Sequence, residues 1–322
     1  MLTLERPAFN GAMLRRLVNR YGAYSALLVT AVVAAVLLPR FYTLANLLNV
    51  VQQAATLGLV SLGQTFVMLA AGIDLSVGST MGLSMVVAAA ITGGANTLVA
   101  LAIAGSLALG GVIGLANGLL VTVRNVPPFV ATLGMLVFID GVRVAYTKGV
   151  PSGGIPPFLV TLGAGRLGPV PVSVLIWLIL SALGLLVLHR TPFGQRVYAT
   201  GGNPVAARLS GVPVGRVVTL TFVLSGVLAS AAGLLLSGFI GYVDRYIGTG
   251  FDLNSIAAVV VGGTSFAGGR GGIGGTIAGV LLITVLGNLV LLAGLSQPYQ
   301  LVVNGVAIVA TVALYSLARR GD

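Results

Sequence analysis

Apolar runs of roughly 20 residues recur along this chain from Tyr21 onward, and about that many helical residues are needed to cross a bilayer core of about 30 Å. Few folds can use such runs. In hydrocarbon every backbone N–H and C=O must be satisfied internally, which leaves helices or a closed barrel. A barrel would show alternating segments of about 10 residues, and those are absent from the sequence. Charged residues make up only 7% of the chain, against about 25% in soluble domains. Mean hydropathy is +1.07. The expected fold is an all-α polytopic membrane protein.

Ten segments can be drawn, at 21–38, 45–70, 75–92, 97–121, 128–147, 171–189, 216–240, 253–265, 273–293 and 299–318. Glycine interrupts several and the eighth is short, so some are expected to be broken or re-entrant. Residues 1–20 read as a basic cytoplasmic tail, because the long apolar run after them lacks an A-x-A cleavage site. Residues 21–318 form the membrane domain, and 319–322 are a second cytoplasmic tail. With both ends inside, twelve basic residues fall inside and four (Arg40, Lys148, Arg166 and Arg245) outside, while Arg143 lies within a span. That asymmetry follows the positive-inside rule. It accounts for the net charge of +11 without a nucleic-acid partner.

The residues exclude most chemistry. There is no cysteine, and the single histidine, His189, sits beside Arg190 at a span end. Disulfides, thiol catalysis and histidine metal clusters are therefore ruled out. Gly269, Gly271 and Gly274 form a G-x-G-x-x-G pattern, but apolar flanks replace the strand and βαβ unit that a dinucleotide site requires. The only lysine, Lys148, is not in a P-loop, so any ATP dependence must come from a partner. Gly110, Gly114 and Gly118 recur every four residues, as do Gly271, Gly275 and Gly279. This spacing suits close helix contact in lipid. Of six acids, Glu5 and Asp322 are terminal, and Asp244 and Asp252 lie in a loop assigned to the outside. Asp140 stands three residues before Arg143, the spacing of an ion pair on one helix face. A structural pair explains this better than a proton relay. No enzyme is indicated.

Two polar stretches remain. In AGIDLSVGST, Asp74 is the only formal charge between Arg40 and Arg124, and a buried intramembrane acid is costly without a role. Gly72 is expected to break a helix and Asp74 to cap the next, with Ser76 and Gly78 completing the hinge. The competing reading is an ion-coupling carboxylate in a secondary transporter. The loop 191–216, TPFGQRVYATGGNPVAARLSGVPVGR, carries three Arg and no acid. Asn203 suits an N-cap, Pro204 the first helical position and Gly211 the C′ position, with Pro213 after it. A helix over Val205–Ser210 follows. It either closes a gap or docks into a partner's groove.

The stretches AGIDLSVGS, NGLLVTVRNVPPFVATLG, GQRVYATGGNPVAARLSGVPVGR, SIAAVVVGGTSFAGGRGGIGGT and LVVNGVAIVATVAL occur in this order over residues 40 to 318. Together they resemble permeases of the ribose-type ABC importers. The resemblance implies a type II-like importer bundle in a bacterial inner membrane, formed by two permease subunits as a homodimer or heterodimer. It implies a cytoplasmic ABC ATPase that uses ATP and Mg²⁺, and a periplasmic or lipid-anchored sugar-binding protein. No cofactor belongs to this chain.

On that resemblance Asn203, Pro204, Ala206, Ala207, Arg208, Leu209 and Ser210 correspond to the coupling helix. Gly263, Gly268 and Arg270 join Gly72, Asp74, Ser76 and Gly78 as hinge positions. Candidate groups along the sugar path are Gln64, Asn117, Asn254, Thr264, Ser265 and Asn288, although such residues also bond helices together. The chain departs from the family pattern twice. Asp140 stands where Arg is usual, with Arg143 able to supply the charge. Tyr242-Val243-Asp244-Arg245 replaces a Gln-Pro segment. The substrate is thus left open among pentoses, hexoses, polyols such as inositol, and nucleosides. A membrane scaffold, the third functional class, would lack a polar cavity between its helices.

Overall fold

The computed structural model describes residues 11–149, 153–243 and 247–295, together with positions 299, 302, 305 and 306. Twelve α-helices occur among them. In order they are α1 (Gly11–Leu37), α2 (Leu44–Leu69), α3 (Val77–Thr92), α4 (Val99–Thr122), α5 (Pro128–Thr147), α6 (Pro157–Ala164), α7 (Val172–Arg190), α8 (Pro192–Gly202), α9 (Pro204–Leu209), α10 (Val214–Ile240), α11 (Phe251–Val261) and α12 (Ile273–Leu292). A two-residue hairpin, Arg166–Leu167 with Val170–Pro171, precedes α7.

Local chemistry sets many boundaries. Thr43 caps α2 by accepting Asn46 N–H at 3.4 Å, and Thr191 caps α8 by accepting Gly194 N–H at 3.3 Å. Proline opens α5, α6, α8 and α9, where its missing N–H costs nothing. Gly241, at φ 84°, closes α10 in a left-handed conformation that is easy for glycine.

The long helix α10 forms the centre, packed by α2, α3, α4 and α6. Its contact with α4 is made backbone to backbone. Gly110 faces Gly226 and Ser230, Gly114 faces the Phe222 carbonyl, and Gly118 faces Thr219. The second predicted glycine series works the same way. Gly275 meets Gly262 and Gly279 meets Ala258 across the α11–α12 hairpin, while Gly271 sits in the preceding loop against Thr264. Around these seams lies an apolar core that includes Leu59, Val60, Met81, Trp177 and Val280.

The segments assigned to the inside gather at one end of the bundle. There Gly201 and Gly202 of α8 meet Leu69, at the end of α2, and Gly269. Segments assigned to the outside meet at the other end, where Gly154 bridges to Tyr242 and Asn96 accepts Phe158 N–H at 3.0 Å.

The count of ten crossings is not what the structure describes. Segment 299–318 and the tail 319–322 lie outside the described residues apart from four isolated positions. The short helices α6, α8 and α9 add to the count without spanning. Among the described residues, five stretches are long and apolar enough to cross: Asn96–Thr122, Pro128–Thr147, Val172–Arg190, Val214–Ile240 and Ile273–Leu292. The eighth segment is only the 11-residue α11, about 16 Å long, which is half a crossing. Helix α1 begins at Gly11, so half of the expected tail is helical, and residues 1–10 lie outside the described part.

The glycine seam gives a direct test. Gly114→Ala should lower stability by about 1–3 kcal/mol through overpacking, because its Cβ would strike the Phe222 carbonyl. Gly111→Ala, one residue from Gly110 and meeting only Val227 at 3.5 Å, should be neutral or slightly stabilising. Thermal unfolding of the two detergent-solubilised variants compares them.

Candidate functional site: the helix reversals and the polar loop

At the inner end, α2 stops with Ala71 at φ 62°, and Gly72 N–H returns to the Val67 carbonyl at 2.9 Å. The left-handed residue is Ala71, not the Gly72 that the sequence suggests. A Cβ at position 72 would press on Val67 at 3.0 Å and on the Phe222 ring at 3.3 Å, so glycine eases a tight contact there. The chain then turns back along the bundle to Asp74, which is level with Gln64, about a turn and a half above the end of α2.

Asp74 is 1% exposed. One carboxylate oxygen accepts the Ser76 N–H at 3.0 Å and the Ser76 hydroxyl at 2.6 Å. The other accepts the Ser225 hydroxyl of α10 at 2.8 Å. The expected N-cap geometry is therefore displaced. Ser76 occupies the cap position of α3, and Asp74, two residues earlier, closes a local turn instead of holding the first amides of the helix. Asn117 of α4 donates to the Ser76 hydroxyl at 2.8 Å. With its amide oriented to suit its neighbours, Gln64 donates to the Asp74 carbonyl at 3.1 Å and accepts the Asp74 N–H at 3.3 Å. One acid thus joins α2, α3, α4 and α10.

A second reversal, residues 262–272, faces the first. Gly269 N–H donates to the Leu69 carbonyl at 2.9 Å. Gly268, at φ 82°, packs on Ala71, and Gly263 is also left-handed at φ 90°. Arg270 is exposed, and its carbonyl accepts the Ser265 N–H at 2.9 Å. Gly78 lies farther along the bundle, against Gly248 and Asp252.

The polar loop 191–216 rests on both reversals. Gly201 of α8 packs directly on the Leu69 carbonyl and on Gly269, and Tyr198 donates to the Gly271 carbonyl at 3.0 Å. The short capped helix is present as α9. Asn203 accepts the N–H groups of Val205 at 3.1 Å and Ala206 at 3.0 Å, and Gly211 is left-handed at φ 81°. Ala207 is buried toward the bundle, while Pro204, Ala206, Arg208 and Ser210 are exposed. Val205 and Leu209 stand on one face of α9, and Leu209 is 87% exposed. Two bare apolar side chains one turn apart on a basic loop are an unusual surface.

Of the polar residues proposed for a sugar path, five are buried. Gln64 and Asn117 belong to the Asp74 network. Asn288 exchanges two hydrogen bonds with Asn46, at 2.9 and 3.0 Å, joining α12 to α2. Ser265 accepts the Ala267 N–H at 3.2 Å within its own turn, and Thr264 is packed under Gly271. Asn254 is the exception, half-buried in the first turns of α11. Sequence reasoning set Asp252 aside as an outer-loop acid. The structure puts it in the first turn of α11, beside Asp140 and Arg143 around a small cavity.

A set of reversed half-length helices, a buried polar hinge and a basic loop seated on it defines a membrane permease component. The chain belongs to the family described as branched-chain amino acid transport system/permease component, whose model matches residues 46–312. It is 41% identical over 292 residues to the ribose import permease protein RbsC of Escherichia coli (strain K12), covering 89% of this chain and 90% of that relative. It is 39% identical over 313 residues to the ribose import permease protein RbsC of Bacillus subtilis (strain 168), covering 96% and 95% of the two chains. The galactose/methyl galactoside import permease protein MglC of Escherichia coli (strain K12) is 35% identical over 317 residues, covering 92% of this chain and 94% of that relative. No solved structure matches. A transport permease is not an enzyme. The ion-coupled reading of Asp74 finds no support, since its carboxylate is held by Ser76 and Ser225 away from solvent.

The Asp74 network can be tested by its donors. Asp74→Ala should lower stability by about 1–3 kcal/mol for each buried donor left unpaired. Asp74→Asn should cost about 1 kcal/mol, because the Ser225 hydroxyl can turn to accept from the new amide. Thermal unfolding in detergent measures both.

Proposed function

We propose that this chain is the membrane-spanning subunit of an ABC importer that carries a monosaccharide into the bacterial cytoplasm. The relatives named for ribose and for galactose support the substrate class, and a related polyol or nucleoside belongs to the same chemical range. A separate ATPase on the inner face uses ATP and Mg²⁺, a binding protein delivers the sugar from outside, and a second permease subunit completes the path. Both termini and the loop 191–216 are cytoplasmic in this reading.

The observation that carries the mechanism is the seating of Gly201 on the Leu69 carbonyl and Gly269. Helix α9 offers Val205 and Leu209 to the ATPase and follows α8 directly after the single extended residue Asn203. A push on α9 therefore reaches the ends of both helix reversals through backbone contacts that have no flexible side chain to absorb it. The reversals then shift against α10, and the bundle rocks between outward and inward access.

Proteoliposomes containing the full transporter should show ATP-dependent sugar uptake that survives collapse of ion gradients. Uptake without any ATPase would overturn the proposal. Leu209→Asp should cut uptake about ten-fold or more by removing an apolar anchor of about 2 kcal/mol from the interface, with the permease still folded. Uptake at the native rate in that variant would end the docking role of α9.

A further inference from the structure

Asp140, Arg143 and Asp252 are the charged groups that the hinge and the coupling loop leave unused. They line one cavity of about 90 Å³ together with Ser79, Leu136 and Thr249. Arg143 is 5% exposed. It donates through Nη1 to the Ile247 carbonyl at 2.8 Å and stands 3.0 Å from Asp140 Oδ1 through Nη2. Its Nε and the Oδ1 of Asp252 are buried without hydrogen-bond partners among the described residues. Buried polar atoms of this kind ordinarily have a partner, so the cavity is lined by groups ready to bind one.

The Asp140 side chain is 42% exposed. Its position on α5 is about 10 Å from the outer end of that helix, within a stretch apolar and long enough to cross a membrane. A carboxylate open to hydrocarbon at that depth is strongly unfavourable, and intramembrane acids face water-filled cavities or the bundle interior. The seam between α5 and the start of α11 is therefore wet. Aliphatic exposure elsewhere on α5, at Val137 and Phe138, makes no such demand.

We propose that Asp140, Arg143 and Asp252 form a water-filled station on the solute path that binds the hydroxyl edge of a sugar. Two carboxylates accept from hydroxyls and one guanidinium donates to them, a donor and acceptor set suited to a neutral polyol. The cavity has room for a few hydroxyl-sized groups, so the rest of the ring stays in the open seam. Gly248 at φ 92° and Gly250 at φ 87° shape its rim, and Gly78 keeps α3 close to it. The inference rests on the sugar-permease reading for its ligand but not for its water.

The absence of cysteine makes a direct test available in cells carrying the complete transporter. Asp140→Cys and Leu136→Cys, both lining the cavity, should react with a membrane-impermeant cationic thiol reagent about ten-fold or more faster than Ile179→Cys, on the apolar exterior of α7. External D-ribose or D-galactose should slow the reaction during turnover. Leu136→Cys leaves the ion pair intact, so it reports even if the first variant does not fold. In proteoliposomes, Asp140→Asn and Asp252→Asn should each lower the sugar moved per ATP hydrolysed about ten-fold, the equivalent of one charge-assisted hydrogen bond. Labelling of both cysteines at the rate of the α7 control overturns the wet seam. Native coupling in both Asn variants overturns the sugar contact. Failure of the sugar reading would instead appear as no uptake of either sugar by the native chain, with the labelling result unchanged.

Discussion

Close approach of helix backbones at glycine is the contact on which this bundle depends. Lipid tails are as apolar as leucine, so helices in a membrane associate through packing and hydrogen bonds. Here α4 and α10 touch along Gly110, Gly114, Gly118 and Gly226, and α10 then organises α2, α3 and α6 around itself. Backbone seams are stiff, because they contain no rotamers to adjust.

Stiff seams need places to bend, and the two reversals supply them. Residues 70–76 and 262–272 leave helical geometry where other protein groups satisfy the backbone, as when Gly269 donates to Leu69. Irregular backbone at membrane depth is tolerated under that condition. The Asp74 network pins the first reversal to α10, and Gly268 packs the second against the first. Motion of one therefore involves the other. The loop that carries α9 touches the ends of both, where the chain is least regular.

Much of this was legible in the sequence. The caps of α9 were readable because Asn203, Pro204 and Gly211 act over a few residues, and the structure reproduces that local geometry. The glycine spacings were readable for the same reason, since a four-residue period places small residues on one helix face. What those faces met was not readable. Asn117 and Asn288 looked like groups awaiting a solute, yet each finds a partner far away in the chain, Ser76 in one case and Asn46 in the other. Asp252 looked like a loop acid, because nothing nearby in sequence indicates that α11 begins one residue before it.

The sequence by itself determined that this is a helical membrane protein with a short capped helix in a basic polar loop and glycine-lined contacts. These properties follow from composition and from periods shorter than about two helical turns. Only the tertiary structure decided that Asp74 bonds to α10 instead of capping α3. It also decided that Gly201 lies on both reversals, and that Asp140, Arg143 and Asp252 share one cavity. Those arrangements join residues separated by tens to hundreds of positions, and the packing of whole helices, which no local pattern encodes, sets which of them meet.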